Sequence, residues 1–212
     1  MSNVLSIKDL QVKINQSHIL HGVSFDVPNN KVTALLGRNG VGKSTTLKTI
    51  MGFYSGTGSI SFKGTEILNT DTYKIAQSGI AYIPEDREIF STLSVKENLA
   101  LAARGKDHGD AYKFVHTLFP ELDTRAQQRA GSLSGGQQQR VAIARSLINN
   151  PTILFADEPT GNLDSRTGEA IVELLLGLVR EEKRTMVVVT HDSRLAKRGD
   201  RCLEIQDGKI VG

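Results

Sequence analysis

Apolar and polar residues alternate in part along 4–14 and 19–27, a pattern that reads as strands, and the polar run Asn15-Gln16-Ser17 between them predicts a turn. Residues 31–36 form a short apolar strand that runs into glycines, after which 44–51 changes to helical spacing. Gly56-Thr57-Gly58 predicts a turn before a strand at 59–63, and Pro84 ends a strand at 79–83. The middle of the chain has a different rhythm. Helical spacing covers 95–104 and 111–118, with a loop at 105–109, and 135–149 reads as one longer helix. Strand character returns at 151–156 and, with β-branched residues, at 185–189; the amphipathic stretch 167–182 lies between them. Residues 203–206 and 209–211 close as a hairpin across Asp207-Gly208. Strands that alternate with helices predict an α/β core with a largely parallel sheet. The crowding of helices from about 95 to 149 predicts a helical subdomain inserted into that core.

Composition narrows the picture. A chain of 212 residues can bury a core and fold as one domain. The 26 Lys and Arg exceed the 23 Asp and Glu only slightly, and they are dispersed, so no nucleic-acid partner is expected. Cys202 is the single cysteine, which excludes an intramolecular disulfide and fits a reducing compartment. The first residues lack the basic start and apolar stretch of a secretion signal. The most apolar stretch, 170–179, is interrupted by Glu173 and falls short of the roughly 20 residues that span a bilayer. Any membrane role is therefore expected to come through a partner.

Two motifs carry the chemistry. Gly37-Arg38-Asn39-Gly40-Val41-Gly42-Lys43-Ser44, extended by Thr45, follows a strand and opens a helix, which is the context of a P-loop. Its glycines let backbone N–H groups point at phosphate oxygens, and the helix N-terminus adds unpaired donors. Lys43 is expected to reach the β- and γ-phosphates, and the Ser44 hydroxyl to bind Mg²⁺. The second motif, Ile153-Leu154-Phe155-Ala156-Asp157-Glu158, is an apolar strand that ends in two carboxylates at the sheet edge where α/β ligands sit. Asp157 is the candidate Mg²⁺ ligand, and Glu158 is the candidate general base for an attacking water. Between the motifs stands Leu133-Ser134-Gly135-Gly136-Gln137, followed by Gln138-Gln139-Arg140. Ser134 is a good helix N-cap, so the run also reads as a capped helix start.

In this order the motifs resemble the ATP-binding subunits of ATP-binding cassette (ABC) transporters over nearly the whole chain. The resemblance implies a P-loop NTPase core with a mostly parallel sheet plus N-terminal antiparallel strands. That core would span 1–84 and 151–212 of a single domain 1–212, and about 85–150 would be the inserted part that ends in the signature helix. It implies ATP hydrolysis by a head-to-tail dimer with a second copy or a paralogous ATPase subunit. Gly37, Asn39, Gly40, Gly42, Lys43, Ser44 and Thr45 would bind ATP in one subunit, while Ser134, Gly135, Gly136, Gln137 and Asp164 would act on the other subunit's nucleotide. Asn162-Leu163-Asp164 looks like the D-loop that couples the two sites. His191, in Thr190-His191-Asp192, looks like the switch histidine that contacts the γ-phosphate, and with Glu158 and Lys43 it completes the expected catalytic set. An integral membrane subunit would dock near 85–122, which would hold the chain at the cytoplasmic face of the membrane.

Two positions depart from the family pattern. Pro84 is followed by Glu85 where the Q-loop glutamine is usual, so a carboxylate would bind Mg²⁺ or its water beside Asp157 and Glu158. Ile14 stands where an aromatic residue usually stacks on adenine, and it offers apolar contact without an aromatic face. The two halves also resemble different relatives. Residues 17–129, through Leu36-Gly37-Arg38-Asn39 and Ile83-Pro84-Glu85-Asp86-Arg87-Glu88-Ile89-Phe90, resemble ATPases of branched-chain amino acid and urea importers. From about 138 onward, Asp157-Glu158-Pro159-Thr160-Gly161-Asn162-Leu163-Asp164-Ser165-Arg166 resembles those of lipoprotein-releasing and macrolide-export systems. A natural mosaic and an engineered hybrid would both read this way. The expected docking segment lies in the importer-like half, which favours an importer over an exporter. A soluble ABC ATPase and a dimerisation module that does not hydrolyse ATP are the alternatives of other classes.

Overall fold

A computed structural model describes residues 2–103 and 109–212. Strands β1 (Asn3–Ile14) and β2 (Ser17–Pro28) form an antiparallel hairpin, and β4 (Thr57–Phe62) and β5 (Thr65–Glu66) extend it into a four-stranded sheet of order β2-β1-β4-β5. The second sheet has six strands in the order β10-β9-β3-β8-β7-β6. It contains β3 (Val32–Leu36), β6 (Ile80–Ile83), β7 (Ile153–Asp157), β8 (Thr185–Thr190), β9 (Arg201–Gln206) and β10 (Lys209–Ile210). Every pairing from β9 to β6 is parallel, and only β10 runs antiparallel, against β9. The expected parallel core is present, and its central strands β7 and β8 are buried at every residue because both faces are covered, whereas β9 nearer the edge alternates buried and exposed positions.

Alternation assigns the two faces to separate cores. On β7, Ile153 and Phe155 join the cluster under the four-stranded sheet, whereas Leu154 and Ala156 join the cluster under the helices. On β8, Val187 and Val189 face the first cluster, and Met186 and Val188 face the second. Helices α1 (Lys43–Ile50) and α2 (Thr72–Ser78) sit on the first face, with Leu47, Ile50 and Ile75 buried against it. The second cluster takes Val95 and Leu99 of α3 (Val95–Ala102), Val115 of α4 (Gly109–Leu118), Leu122 of α5 (Pro120–Asp123) and Val141, Ile143 and Leu147 of α6 (Gly135–Leu147). It also takes Ile171, Leu175 and Leu178 of α7 (Ser165–Arg180) and Leu195 of α8 (Ser193–Ala196). The inserted helices thus share one apolar cluster with the sheet.

Differences from the sequence reading lie at helix ends and in short elements. Helix α7 begins at Ser165, two residues before the apolar periodicity, because Asp164 caps it by accepting from the Thr167 N–H at 3.0 Å. Helix α3 opens with a capping box between Ser94 and Glu97. Short α2, α5 and α8 were not legible as helices, since four to seven residues hold too few turns for a periodic signal. The loop expected at 105–109 falls largely outside the described residues. No helix among the described residues is long and apolar enough to cross a membrane.

Candidate active site

Register brings the motifs together. Leu36 pairs with Thr190 and Asp157 with Val189, so β3, β7 and β8 end at one level of the sheet. Ile83 pairs with Ala156, which places Pro84 and Glu85 at the same edge. Two bonds lock this edge: Gly37 N–H donates to Thr190 O at 3.3 Å, and Glu158 N–H donates to Val189 O at 2.9 Å. The result is a cleft of about 380 Å³ lined by Asn39, Gly40, Gly42, Lys43, Ser44, Thr45, Glu85, Glu158 and His191. Gly42 has φ 106°, and a Cβ there would collide with Leu20 at 2.6 Å, so only glycine lets the loop pass this close to β2.

Polar contacts organise the cleft. Lys43 Nζ donates to the carbonyls of Gly37 and Arg38, at 3.0 Å each, and lies 3.3 Å from Glu158 Oε1. Both side chains of this ion pair are buried. Glu158 sits in the left-handed region at φ 44°, a conformation a non-glycine residue holds only where its surroundings over-determine it. Its Oε2 is 3.0 Å from His191 Nδ1, so the imidazole is held as the Nδ1–H tautomer against a carboxylate. Its Oε1 is buried against Lys43 Nζ and accepts no hydrogen bond among the described residues.

Asp157 is held from two sides. Ser44 Oγ donates to Oδ1 at 2.8 Å, and Tyr82 Oη donates to Oδ2 at 2.8 Å. Burial, and then the charge of Asp157, push the Tyr82 hydroxyl well above its usual range, so it is a permanent donor. Tyr82 was missed by sequence reasoning; its signal is the position on β6 beside Phe155. The side-by-side hydroxyl and carboxylate fit Mg²⁺, which favours one or two protein oxygens plus phosphate and water. The described residues hold no cluster of three or more His, Cys, Asp or Glu that could bind a metal alone.

Glu85 lines the cleft as expected, and desolvation followed by the charges of Asp157 and Glu158 raises its pKa. A pKa raised by the fold means that the protonated form is favoured there: the associated stability is full below the ordinary carboxylate range and is lost as pH rises through the raised value. Glu85→Gln should therefore raise the melting temperature of the nucleotide- and metal-free protein at pH 7.5 by about 1 °C. The gain should vanish near pH 4. An equal shift at both pH values would remove the electrostatic account.

The remaining expected residues lie elsewhere. Ile14 ends β1, paired with Ser17 and partly buried, and it does not line the cleft. Ser134 caps α6: its Oγ accepts from Gln137 N–H at 3.4 Å, while Gln137 Oε1 accepts from Ser134 N–H at 3.0 Å. The cap uses the acceptor side of the Ser134 hydroxyl, and among the described residues its proton has no acceptor, which suits it to an anion. Gly135 and Gly136 follow in the first turn, and a Cβ on Gly136 would overlap Thr167. Asp164 borders a different cavity, and hydrogen bonds from the Thr167 side chain and then its N–H hold its carboxyl below the usual range. None of Ser134, Gly135, Gly136, Gln137 or Asp164 lines the cleft that holds Lys43 and Glu158.

Residues 20–161 match the family described as ABC transporter. The chain is 36% identical to the high-affinity branched-chain amino acid transport ATP-binding protein BraG of Pseudomonas aeruginosa, over 98% of this chain and 91% of that protein. It is equally 36% identical to the lipoprotein-releasing system ATP-binding protein LolD of Zymomonas mobilis, over 99% and 96%. Among solved structures, the dimeric post-hydrolysis state of the ATP-binding cassette MJ0796 bound to ADP and Pi superposes with a TM-score of 0.85 at 30% identity, covering 98% of this chain and 97% of that one. CbiO1 of Clostridium perfringens, part of the transporter complex cbiONQ, also gives a TM-score of 0.85, at 27% identity, covering 100% and 88%.

Proposed function

The chain belongs to the ABC transporter family as an ATP-binding, ATP-hydrolysing domain, and from that premise we propose that two copies bind two ATP molecules head to tail and drive an integral membrane partner. The observation that carries the reading is the division of the groups. Lys43, Ser44, Glu158 and His191 share one cleft, whereas Ser134, Gly135, Gly136, Gln137 and Asp164 stand outside it, so a single chain offers two complementary halves. A helix N-terminus with bare glycines and a free hydroxyl proton is suited to close over the γ-phosphate of the opposite subunit. A paralogous ATPase subunit could supply the same surface.

In each composite site the P-loop N–H groups and Lys43 hold the phosphates, and Lys43 exchanges its bonds to Gly37 and Arg38 for phosphate oxygens. Ser44 and Asp157, with Glu85 beside them, would hold Mg²⁺, which neutralises charge on the phosphoryl oxygens. Glu158 Oε1 takes the proton of a water placed in line with the γ-phosphorus, and His191, through its bond to Oε2, holds Glu158 in that orientation. Lys43 stabilises the charge that develops. Ile14, with Ile19 and Val41 in the same apolar cluster, gives adenine an apolar surface.

Docking of the membrane partner near 85–122 is supported by a groove of about 160 Å³ between sheet and helices, lined by Tyr82, Pro84, Arg87, Glu88, Ala102 and Arg145 among others. Phe90 and Leu101 are exposed in the same segment. The chain would sit on the inner face of the membrane through that partner. An importer of branched-chain amino acid or urea type is favoured because the docking segment carries the importer-like motifs. The equal identity to LolD keeps lipoprotein-release or macrolide-type export as the second reading. Purification of the complex from native membranes decides: an importer-type permease is expected, an exporter-type partner supports the second reading, and a soluble partner overturns both.

A further inference from the structure

Arg87 was not among the expected site residues, yet it touches both segments that would serve the opposite subunit. Its Nη1 donates to Gln138 Oε1 on the first turn of α6 at 3.1 Å, and its Nη2 donates to the carbonyl of Asn162 at 2.9 Å. The same guanidinium packs on Gly135, where a Cβ would stand 3.3 Å from Nη2. Gln138 is oriented for this contact. Its Nε2 points the other way, donating to the carbonyls of Leu133 at 3.2 Å, Ala130 at 3.4 Å and Gly131 at 3.5 Å, which leaves Oε1 for Arg87.

The segment that carries Arg87 is fastened to the helices. Arg87 and Glu88 both have positive φ, 63° and 44°, a conformation that side-chain-bearing residues keep only when neighbours hold them. Arg145 of α6 supplies the hold: Nη1 donates to Glu88 O at 2.6 Å, and its guanidinium lies 4.9 Å from the centre of the Phe90 ring. Gly131 N–H donates to Ser91 O at 2.9 Å. Asn162, in contrast, belongs to the loop between β7 and α7, on the sheet side. A cation at the start of α6 faces the positive end of that helix, so helix electrostatics alone would not place it there. Two carbonyl-type acceptors on different elements hold it instead.

We infer that Arg87 is a positioning residue that sets the signature helix and the 162–164 loop in one register, so that a chain presents Ser134–Gln137 and Asp164 to the partner's nucleotide as a unit. The inference rests on the head-to-tail reading above. It predicts a split between two measurable affinities. In a Glu158→Gln protein, Arg87→Ala should leave ATP binding by the dilute monomer within about twofold, because the P-loop cleft is untouched, and should weaken ATP-driven dimerisation about tenfold or more. Arg87→Lys should not restore dimerisation, since an ammonium cannot span two acceptors as a planar fork does. Gln138→Ala should give the same split, and the double variant should lose less than the sum of the two.

Monomer binding is read by fluorescence of a labelled ATP, and dimerisation by sedimentation velocity with and without ATP. Arg87 variants that dimerise like their parent overturn the inference, as do losses of equal size in both affinities or strictly additive losses with Gln138→Ala. If the Glu158→Gln parent itself stays monomeric with saturating ATP, the head-to-tail reading fails instead, and the two failures are distinguishable.

Discussion

Replacing Glu158 with glutamine should lower steady-state ATP turnover by about a hundredfold to ten-thousandfold, and the protein should accumulate as an ATP-bound dimer. Glutamine keeps the shape of the side chain but cannot accept the water's proton, so binding survives while the step that dissolves the γ-phosphate bridge does not. Geometry favours retained binding. Glu85, Asp157 and Glu158 crowd one sheet edge, desolvation and then the like charges push Glu85 up, and removing one of these charges eases the approach of anionic phosphates. The measurement is phosphate release beside size-exclusion chromatography with light scattering, both with ATP and Mg²⁺. Turnover equal to the wild type would strip Glu158 of its role; a monomer under saturating ATP would remove the composite site.

Lys43→Ala should weaken ATP binding about a hundredfold or more, since in the proposed site the lysine supplies charge-assisted bonds to two phosphates. It should also destabilise the free protein. Lys43 and Glu158 form a buried ion pair at 3.3 Å, and removal of one partner leaves the other charged and poorly solvated. A cost of about 2 kcal/mol, or a melting temperature lower by about 5 °C, is expected. The double variant Lys43→Ala/Glu158→Gln separates the effects: neutralising the stranded carboxylate should restore most of the stability, while nucleotide binding should stay far below that of the wild type. Calorimetry and a binding titration on the same samples measure both. A double variant as unstable as Lys43→Ala would mean that the loss comes from the loop carbonyls of Gly37 and Arg38 rather than from the charge on Glu158.

The cis half of the site was legible because it follows local rules. A strand, a glycine run and a helix start, or a strand that ends in two acids, keep their geometry wherever they are placed, and Ser44, Asp157, Glu158 and His191 converge as their motifs imply. Tyr82 and Arg87 were not legible. Tyr82 is an ordinary strand residue until parallel pairing sets β6 next to β7, and Arg87 is one charge in an acidic turn until Gln138 and Asn162 arrive from 51 and 75 residues away. The helix expected at 167–182 starts at 165 for a similar reason: capping by Asp164 decides the boundary, while apolar periodicity reports only the buried stripe.

The sequence by itself therefore determined which candidate ligands for phosphate, metal and water stand at a strand end or a helix start, and that the strands near 153 and 187 are apolar, because these depend on residue type and on periods of two or 3.6 along the chain. Tertiary structure alone decided that the inserted helices share one apolar cluster with the sheet, that Asp157 is held from both sides, and that the signature turn stands outside the cleft of its own chain. Those facts depend on strand register and on which distant segments pack together, and no spacing along the chain encodes them.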